Sequence, residues 1–324
     1  MRILVLSFYF QPDLSACAFR TTAFVESLQS EVPIGTVIDV ITTLPNRYHS
    51  FSPDAPASEV RPGLSVTRIP LPKHKSGVID QSRAFLAFAK AAMRHTEGRS
   101  YDIVFATSSR LMTASLGALL SRRTKGQLYL DIRDIFVDTI TQVAARPIAL
   151  SVGPLFSMLE RWTIGQAARV NLVSPGFAGY FAERYPNQSF SFITNGIDTE
   201  FIAAAPDHQV VPSGPQRLPL TVLYAGNVGE GQGLETIVPS LAALAGSHLR
   251  FRIIGDGSTK SALEEALQRA GVSNVELLSP VGRGELIEAY READILFLHL
   301  NAYEAFEKVL PSKFFEYAAM GKPL

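Results

Sequence analysis

Three short stretches of this 324-residue chain combine residue types that could hold an anionic ligand. The first is VLPSKFFEYAAMGKP at 309–323. Ser312 reads as a helix N-cap, with Pro311 fixing the approach of the backbone. The free amides of that first turn, with Lys313 beside them, would make an anion site suited to a diphosphate. Glu316 follows one turn later, where its carboxylate could accept both hydroxyls of a ribose. The same pattern also fits an ordinary capped helix whose Lys313 and Glu316 lie on a solvated face. The second stretch is Gly226-Asn227-Val228-Gly229-Glu230-Gly231-Gln232-Gly233, between a strand and a helix. Its glycines would let backbone approach a ligand closely. It lacks the Lys-Ser/Thr of a Walker loop and is not the dinucleotide fingerprint. The third, Gly255-Asp256-Gly257, ends the next strand and reads equally well as a plain connection.

These stretches need elements to hold them. Short apolar runs alternate with helical patterns, which predicts parallel sheets with crossover helices. In the first part, strands are expected at 3–7, 36–42, 65–69, 103–106, 128–132, 169–173 and 190–193. Helices are expected at 18–28, 81–94, 112–121, 149–164 and 175–184. A Pro-rich polar stretch then reads as a linker. Beyond it, strands are expected at 221–225, 250–254, 275–278 and 295–299, with helices at 233–244, 260–270, 283–293 and 312–320. The reading is a first Rossmann-like domain at 1–203, a linker at 204–217 and a second domain at 218–324, with ligands in the crevice at the carboxyl ends of the strands. Gly321 and Pro323 stop the last helix, and Pro323-Leu324 reads as the start of a further strand, so a second domain lacking its C-terminal end is expected.

Bulk properties narrow the classes. Apolar residues are 47% and charged residues 19% of the chain, as in a folded soluble protein, and the formal net charge is zero, which gives no reason to expect a nucleic-acid partner. Residues 1–200 carry 20 Lys and Arg against 16 Asp and Glu, and the remainder 10 against 14, so any anionic surface should face the first half. A single cysteine, Cys17, excludes an internal disulfide and a Cys-based zinc site. Met1-Arg2 leads directly into a strand, without a signal-peptide pattern, and no apolar run is long enough to span a bilayer. A cytoplasmic protein is expected, at most peripheral to a membrane.

The order of motifs is specific. YAGNVGEGQGL at 224–234, FRIIGDG at 251–257, Val281-Gly282 through Glu285-Leu286, Ala293-Asp294-Ile295 and PSKFFEYAAMGKP at 311–323 together resemble the donor domain of family four retaining glycosyltransferases. FYFQP at 8–12, LDIRD at 130–134, VSPGF at 173–177 and TNGID at 194–198 match the first domain of the same family. Within it, the chain is similar to fucosamine-transferase-like enzymes of O-antigen and capsule assembly. The resemblance implies the GT-B fold, α/β with two Rossmann-like domains facing across a cleft. It implies a nucleotide diphosphate sugar, UDP-linked by family habit, as substrate, and neither cofactor nor metal. It places the ribose on Glu316 and the diphosphate on Lys313 with amides around Leu310 and Ser312, and has Gly226, Asn227, Gly229 and Gly255 border the donor. The family's first glutamate falls on Lys308, next to Glu307, so these two positions would face the donor sugar. Gln232 replaces the usual lysine of the Gly-rich turn, and Ser15-Ala16-Cys17-Ala18 replaces a Gly-Gly pair.

On this reading Lys313 neutralises the leaving diphosphate. Arg133 and Asp134, at the end of a central strand, are candidates for the acceptor side or for charged chemistry; a buried pair serving only the fold reads equally well. His49 and His74 lie in polar loops. The acceptor would be a glycan or an undecaprenyl-pyrophosphate-linked sugar, reached at the inner face of the cell membrane. Lys73, Lys75, Arg83, Lys90, Arg94 and Arg99 would attract anionic lipid there, with Arg122, Arg123 and Lys125 as a second cluster. A surface helix with its apolar side packed inward fits the same residues. Two other functions share the architecture: a nucleotide-sugar 2-epimerase, which needs no acceptor, and a non-catalytic nucleotide-binding or scaffold remnant. A nicotinamide dehydrogenase fits poorly, because Gln11-Pro12-Asp13-Leu14 after the first strand offers no glycine to a pyrophosphate.

Overall fold

Short runs of Ile, Leu and Val that are apolar on both faces form strands covered from two sides, and they organise the fold. A computed structural model describes residues 1–47, 53–72, 78–108, 110–137, 146–205 and 218–324. The chain forms two units: Met1–Arg47 with Ser52–Thr194 and Tyr303–Leu310, and Asn195–Ala302 with Pro311–Leu324.

The first unit runs β1 (Arg2–Leu6), α1 (Ala16–Glu31), β2 (Val37–Thr43), β3 (Ser58–Arg61), β4 (Leu64–Ile69), α2 (Val78–His95), β5 (Ile103–Ser108), α3 (Leu111–Thr124), β6 (Gln127–Ile132), α4 (Arg146–Gly165), β7 (Ala167–Leu172), α5 (Ala178–Arg184) and β8 (Phe190–Ser191). Its eight-stranded sheet has the order β3-β4-β2-β1-β5-β6-β7-β8. Among the described strands of this sheet only β3 runs antiparallel. Ile3, Leu4, Val5 and Leu6 of central β1 are all buried. One sheet face packs Phe85, Phe88, Leu116, Leu120 and Ile164 from α2, α3 and α4. The other packs Phe24, Val25 and Leu28 from α1. Ser15 caps α1, its Oγ accepting from the Ala18 amide at 3.1 Å.

The expected strands of this unit form within a few residues of their expected positions. β3 was not expected: Ser58-Glu59-Val60-Arg61 has no buried alternation, and Val60 is 77% exposed. It exists as an edge strand because Arg68 of β4 is buried and ion-pairs with Glu59 at 3.1 Å.

The second unit holds α6 (Thr199–Ala204), β9 (Leu220–Asn227), α7 (Leu234–Ala245), β10 (Leu249–Asp256), α8 (Lys260–Ala270), β11 (Val275–Leu278), α9 (Arg283–Glu292) and β12 (Ile295–Leu296). The order of its parallel sheet is β11-β10-β9-β12. The strand expected to reach residue 299 pairs only through Ile295 and Leu296. A short helix α10 (Glu304–Glu307) belongs to the segment that groups with the first unit, and α11 (Ser312–Ala319) returns to the second. After α11, Gly321 takes φ +62°, and the Pro323 carbonyl accepts from the Leu296 amide at 2.9 Å, alongside β12. Most of the expected linker, 206–217, lies outside the described residues, as do Lys73, Lys75, His49 and His74.

Candidate active site

In the second unit, β9 and β10 run in register to their carboxyl ends, with Gly255 opposite Gly226 and Asp256 opposite Asn227. A Cβ on Gly255 would collide with the Gly226 carbonyl, so glycine is needed there for the strands to approach. Gly226 has φ +140°, and a Cβ on it would occupy the position of the Lys313 side-chain end. The Gly-rich turn therefore leaves a slot, and the Lys313 stem fills it. Lys313 Nζ donates to the Tyr224 hydroxyl at 2.7 Å, which in turn donates to the Asn227 carbonyl at 2.6 Å. The loop is fixed from its other side as well. Asn227 Nδ2 donates to Gln232 Oε1 at 2.8 Å, and His299 Nδ1 donates to the Gln232 carbonyl at 2.7 Å. A Cβ on Gly229 would press on the Asn227 amide.

α11 corrects one expectation. Ser312 is the first helical residue; the cap position is Pro311, at φ −65° and ψ 138°, and no side chain caps the turn. Proline's fixed φ and extended ψ put the cap at Pro311, so the helix starts one residue earlier than it would with a serine cap at 312. The helix thus opens on Ser312 and Lys313 without a competing side-chain oxygen. One turn on, Glu316 Oε2 accepts from the Tyr290 hydroxyl at 2.9 Å. Burial raises the Glu316 carboxyl above its ordinary range, opposed by the Tyr290 hydroxyl and the charges of Lys313 and Arg283. Tyr290 and Tyr317 are buried and meet edge to face at 5.3 Å, and the Ala225 amide donates to the Tyr317 hydroxyl at 3.2 Å. These contacts fix the rotation of α11 against the end of β9. At the start of α9, Arg283 ion-pairs with Asp198 and, at 2.9 Å, with Glu200.

In the first unit, the carboxyl end of β6 carries a polar cluster that centres on Asp131. Arg20 of α1 reaches Asp131 through Nε at 3.0 Å and Nη2 at 2.9 Å, and also donates to the Ile193 and Thr194 carbonyls. Asn171 Nδ2 and Thr107 Oγ1 complete the shell at 2.9 and 3.0 Å. Burial alone would raise the Asp131 carboxyl; the Arg20 hydrogen bonds and charge, then Arg133 and Asn171, hold it below the ordinary range.

The ion pair at this strand end is thus Arg20–Asp131. Arg133 Nη1 is buried without a hydrogen-bond partner among the described residues. Asp134 keeps part of its surface, yet crowding of its carboxyl desolvates it and pushes it up to about 7, against the nearby charge of Arg133. A carboxyl at that value can take or release a proton near neutrality. Its folded state binds the proton more tightly, so its stabilising contribution is full below the unfolded value of about 3.9 and is lost as pH rises through about 7. Asp134→Asn is expected to gain on the parent between these values by about 2 kcal/mol, the full linkage reduced for partial exposure. Denaturant curves read through Trp162 fluorescence at several pH values check it; a pH-independent difference would place the carboxylate in ordinary solvent.

Glu307, Lys308 and Leu310 group with the first unit. The Lys308 carbonyl accepts from Ser174 Oγ at 2.6 Å, and its ammonium lies 3.7 Å from Glu304. A Cβ on Gly176 would press on that same carbonyl, which gives the glycine of VSPGF a packing role. Gly226, Asn227, Gly229, Gly255, Ser312, Lys313 and Glu316 all lie in the second unit, and Arg133 and Asp134 in the first. Arg20, Tyr224 and Tyr290 were not anticipated. The tyrosines read as apolar strand and helix positions, and Arg20 pairs with a residue 111 positions away.

Two α/β units, each with helices packed on a mainly parallel sheet, make up the chain, and the family matches define the class. The chain belongs to the glycosyltransferases: residues 28–196 match the family described as "Glycosyl transferase 4-like domain", and residues 219–324 match "Glycosyl transferases group 1". It is similar to WcaI of Escherichia coli (strain K12), named for a glycosyl transferase role in colanic acid biosynthesis, with 24% identity over 99% of this chain and 82% of that protein. Three solved structures share the fold. WaaG, a glycosyltransferase involved in lipopolysaccharide biosynthesis, has a TM-score of 0.62 at 16% identity, covering 100% of this chain and 80% of that one. Anabaena Alr3699/HepE, in complex with UDP and glucose, has 0.61 at 14%, covering 100% and 79%. The catalytic domain of starch synthase IV from Arabidopsis thaliana, bound to ADP and acarbose, has 0.64 at 15%, covering 98% and 81%. The α/β fold class and the GT-B family resemblance therefore both hold.

Proposed function

We propose that the chain transfers a sugar from a UDP-sugar to a glycan or an undecaprenyl-pyrophosphate-linked acceptor in surface polysaccharide synthesis, in the cytoplasm at the inner membrane face. The observation that carries the donor assignment is Lys313 seated in the slot of Gly226, with Glu316 one turn further on a helix free of a side-chain cap. The Glu316 carboxylate takes the ribose hydroxyls. The Lys313 ammonium and the first-turn amides of α11 take the diphosphate, and Gly226, Asn227, Gly229 and Gly255 leave backbone at the donor's edge.

As the bond from sugar to diphosphate breaks, negative charge grows on the leaving oxygens, and Lys313 neutralises it without a metal. Retention at the sugar is carried over from the family. Arg133 and Asp134 serve the acceptor side, where a carboxyl near 7 can take the proton of the attacking hydroxyl. The names of WcaI and WaaG, and the UDP held by HepE, support the polymer class and the base.

Calorimetric titration with UDP, without added metal, tests the donor assignment. Saturable binding that falls about a hundredfold in Glu316→Ala is expected, because two hydrogen bonds to a charged group are lost. A folded chain that binds no UDP, or a variant that binds it as well as the parent, overturns the assignment.

A further inference from the structure

Helices α2, α3 and α4 cover one face of the first unit's sheet, with α3 packed against both of the others. Their inward sides supply the core, and their outward sides share an unusual composition. On α2, Arg83, Leu86, Lys90 and Arg94 recur at helical spacing along one exposed line. On α3 the exposed positions include Leu119, Arg122 and Arg123, and on α4 they include Leu155, Met158 and Arg161. Leu86 is 65% exposed, Leu155 59% and Met158 65%, so large apolar side chains stand in solvent on two of the helices.

Among the described residues, no exposed position of these three helices is acidic. Glu160 of α4 is buried and accepts from the Tyr180 and Tyr185 hydroxyls at 3.0 and 2.7 Å. Asp80 of α2 is half-buried. Helix α1, packed on the other core, is the internal contrast. Its exposed residues are Ala23, Glu26, Ser27, Ser30 and Glu31, with no cation and no large apolar side chain. A helix layer kept merely soluble would mix both signs, as surfaces generally do. Cations interleaved with exposed Leu and Met on this helix layer, and not on α1, match a partner that is anionic at its surface and apolar beneath it.

We propose that the outward face of α2, α3 and α4 docks the chain on an anionic phospholipid bilayer, the Arg and Lys heads meeting lipid phosphates and Leu86, Leu155 and Met158 entering the acyl boundary. No helix of the described residues is long and apolar enough to cross a membrane, so this is attachment at the surface. The proposal gives the membrane-linked acceptor above a place on the chain, and rests on that reading only for its purpose.

The test is co-sedimentation of the full chain with vesicles of phosphatidylcholine and with vesicles of an equimolar mixture of phosphatidylcholine and phosphatidylglycerol, alongside UDP titration of the same samples. The parent should sediment with the anionic vesicles, and added salt should weaken this. The triple variant Arg83→Gln/Lys90→Gln/Arg94→Gln should bind them about a hundredfold less, since each cation near a charged membrane contributes a factor of about five. A second variant, Leu86→Ser/Leu155→Ser/Met158→Ser, should also release, with its UDP titration unchanged from the parent's. A parent that stays in the supernatant with anionic vesicles while binding UDP overturns the docking face and leaves the transferase reading standing. Variants that sediment like the parent overturn it too. A parent that sediments but binds no UDP supports the face and counts against the donor assignment alone.

Discussion

Lys313→Ala is expected to weaken UDP binding tenfold to about a hundredfold and to leave binding of uridine, which has no phosphate, nearly unchanged. The ammonium is held 2.7 Å from the Tyr224 hydroxyl with its stem over Gly226, so it is positioned before any ligand arrives. Preorganised charge costs no reorganisation when the leaving diphosphate develops its own, and removing one such group typically lowers kcat by about 10² to 10³-fold. With whichever nucleotide-sugar the parent consumes, the loss should fall on kcat more than on KM. Equal loss of uridine and UDP affinity would instead mean that the substitution disturbed the loop. An unchanged UDP affinity would move the diphosphate elsewhere.

Arg20→Ala should destabilise the first unit by about 3 to 5 kcal/mol, because it leaves the Asp131 carboxylate buried without its cation. Side-chain exposure is 17% for Arg20 and 2% for Asp131, so solvent cannot replace the lost partner. The same guanidinium holds the Ile193 and Thr194 carbonyls, and its loss should also loosen the chain at the boundary of the unit. The only tryptophan, Trp162, packs partly buried against this unit's core, so its fluorescence in a denaturant series reports the change where it occurs. Adding Asp131→Asn should recover part of the loss, since the remaining group is then neutral. A variant as stable as the parent would show that the pair contributes little beyond its desolvation cost.

Sequence alone carried the parallel strands, the crossover helices and the last helix, α11. Buried strands such as Ile3 to Leu6 are apolar throughout, and the helices between them repeat at helical spacing, so local pattern and tertiary burial agree. The Gly226 turn and the spacing of Lys313 to Glu316 were also legible, because backbone that must approach closely tolerates only glycine, and one helical turn aligns positions three apart. Strand β3 was not, since its residues are polar and its pairing depends on buried Arg68. The start of α11 moved by one residue because Pro311, with its fixed φ, takes the cap position.

What only the tertiary structure decided is which distant side chains hold these residues in place. Tyr224 lies 89 positions from Lys313, Tyr290 lies 26 from Glu316, and Arg20 lies 111 from Asp131. Asp134 owes its raised carboxyl to burial by its surroundings rather than to its neighbours in LDIRD. The segment Tyr303–Leu310, written among second-unit elements, groups with the first through the Lys308 carbonyl and Ser174. Periodicity records which face of an element is buried; it holds no record of which distant side chain meets that face, because the meeting is set by packing in three dimensions.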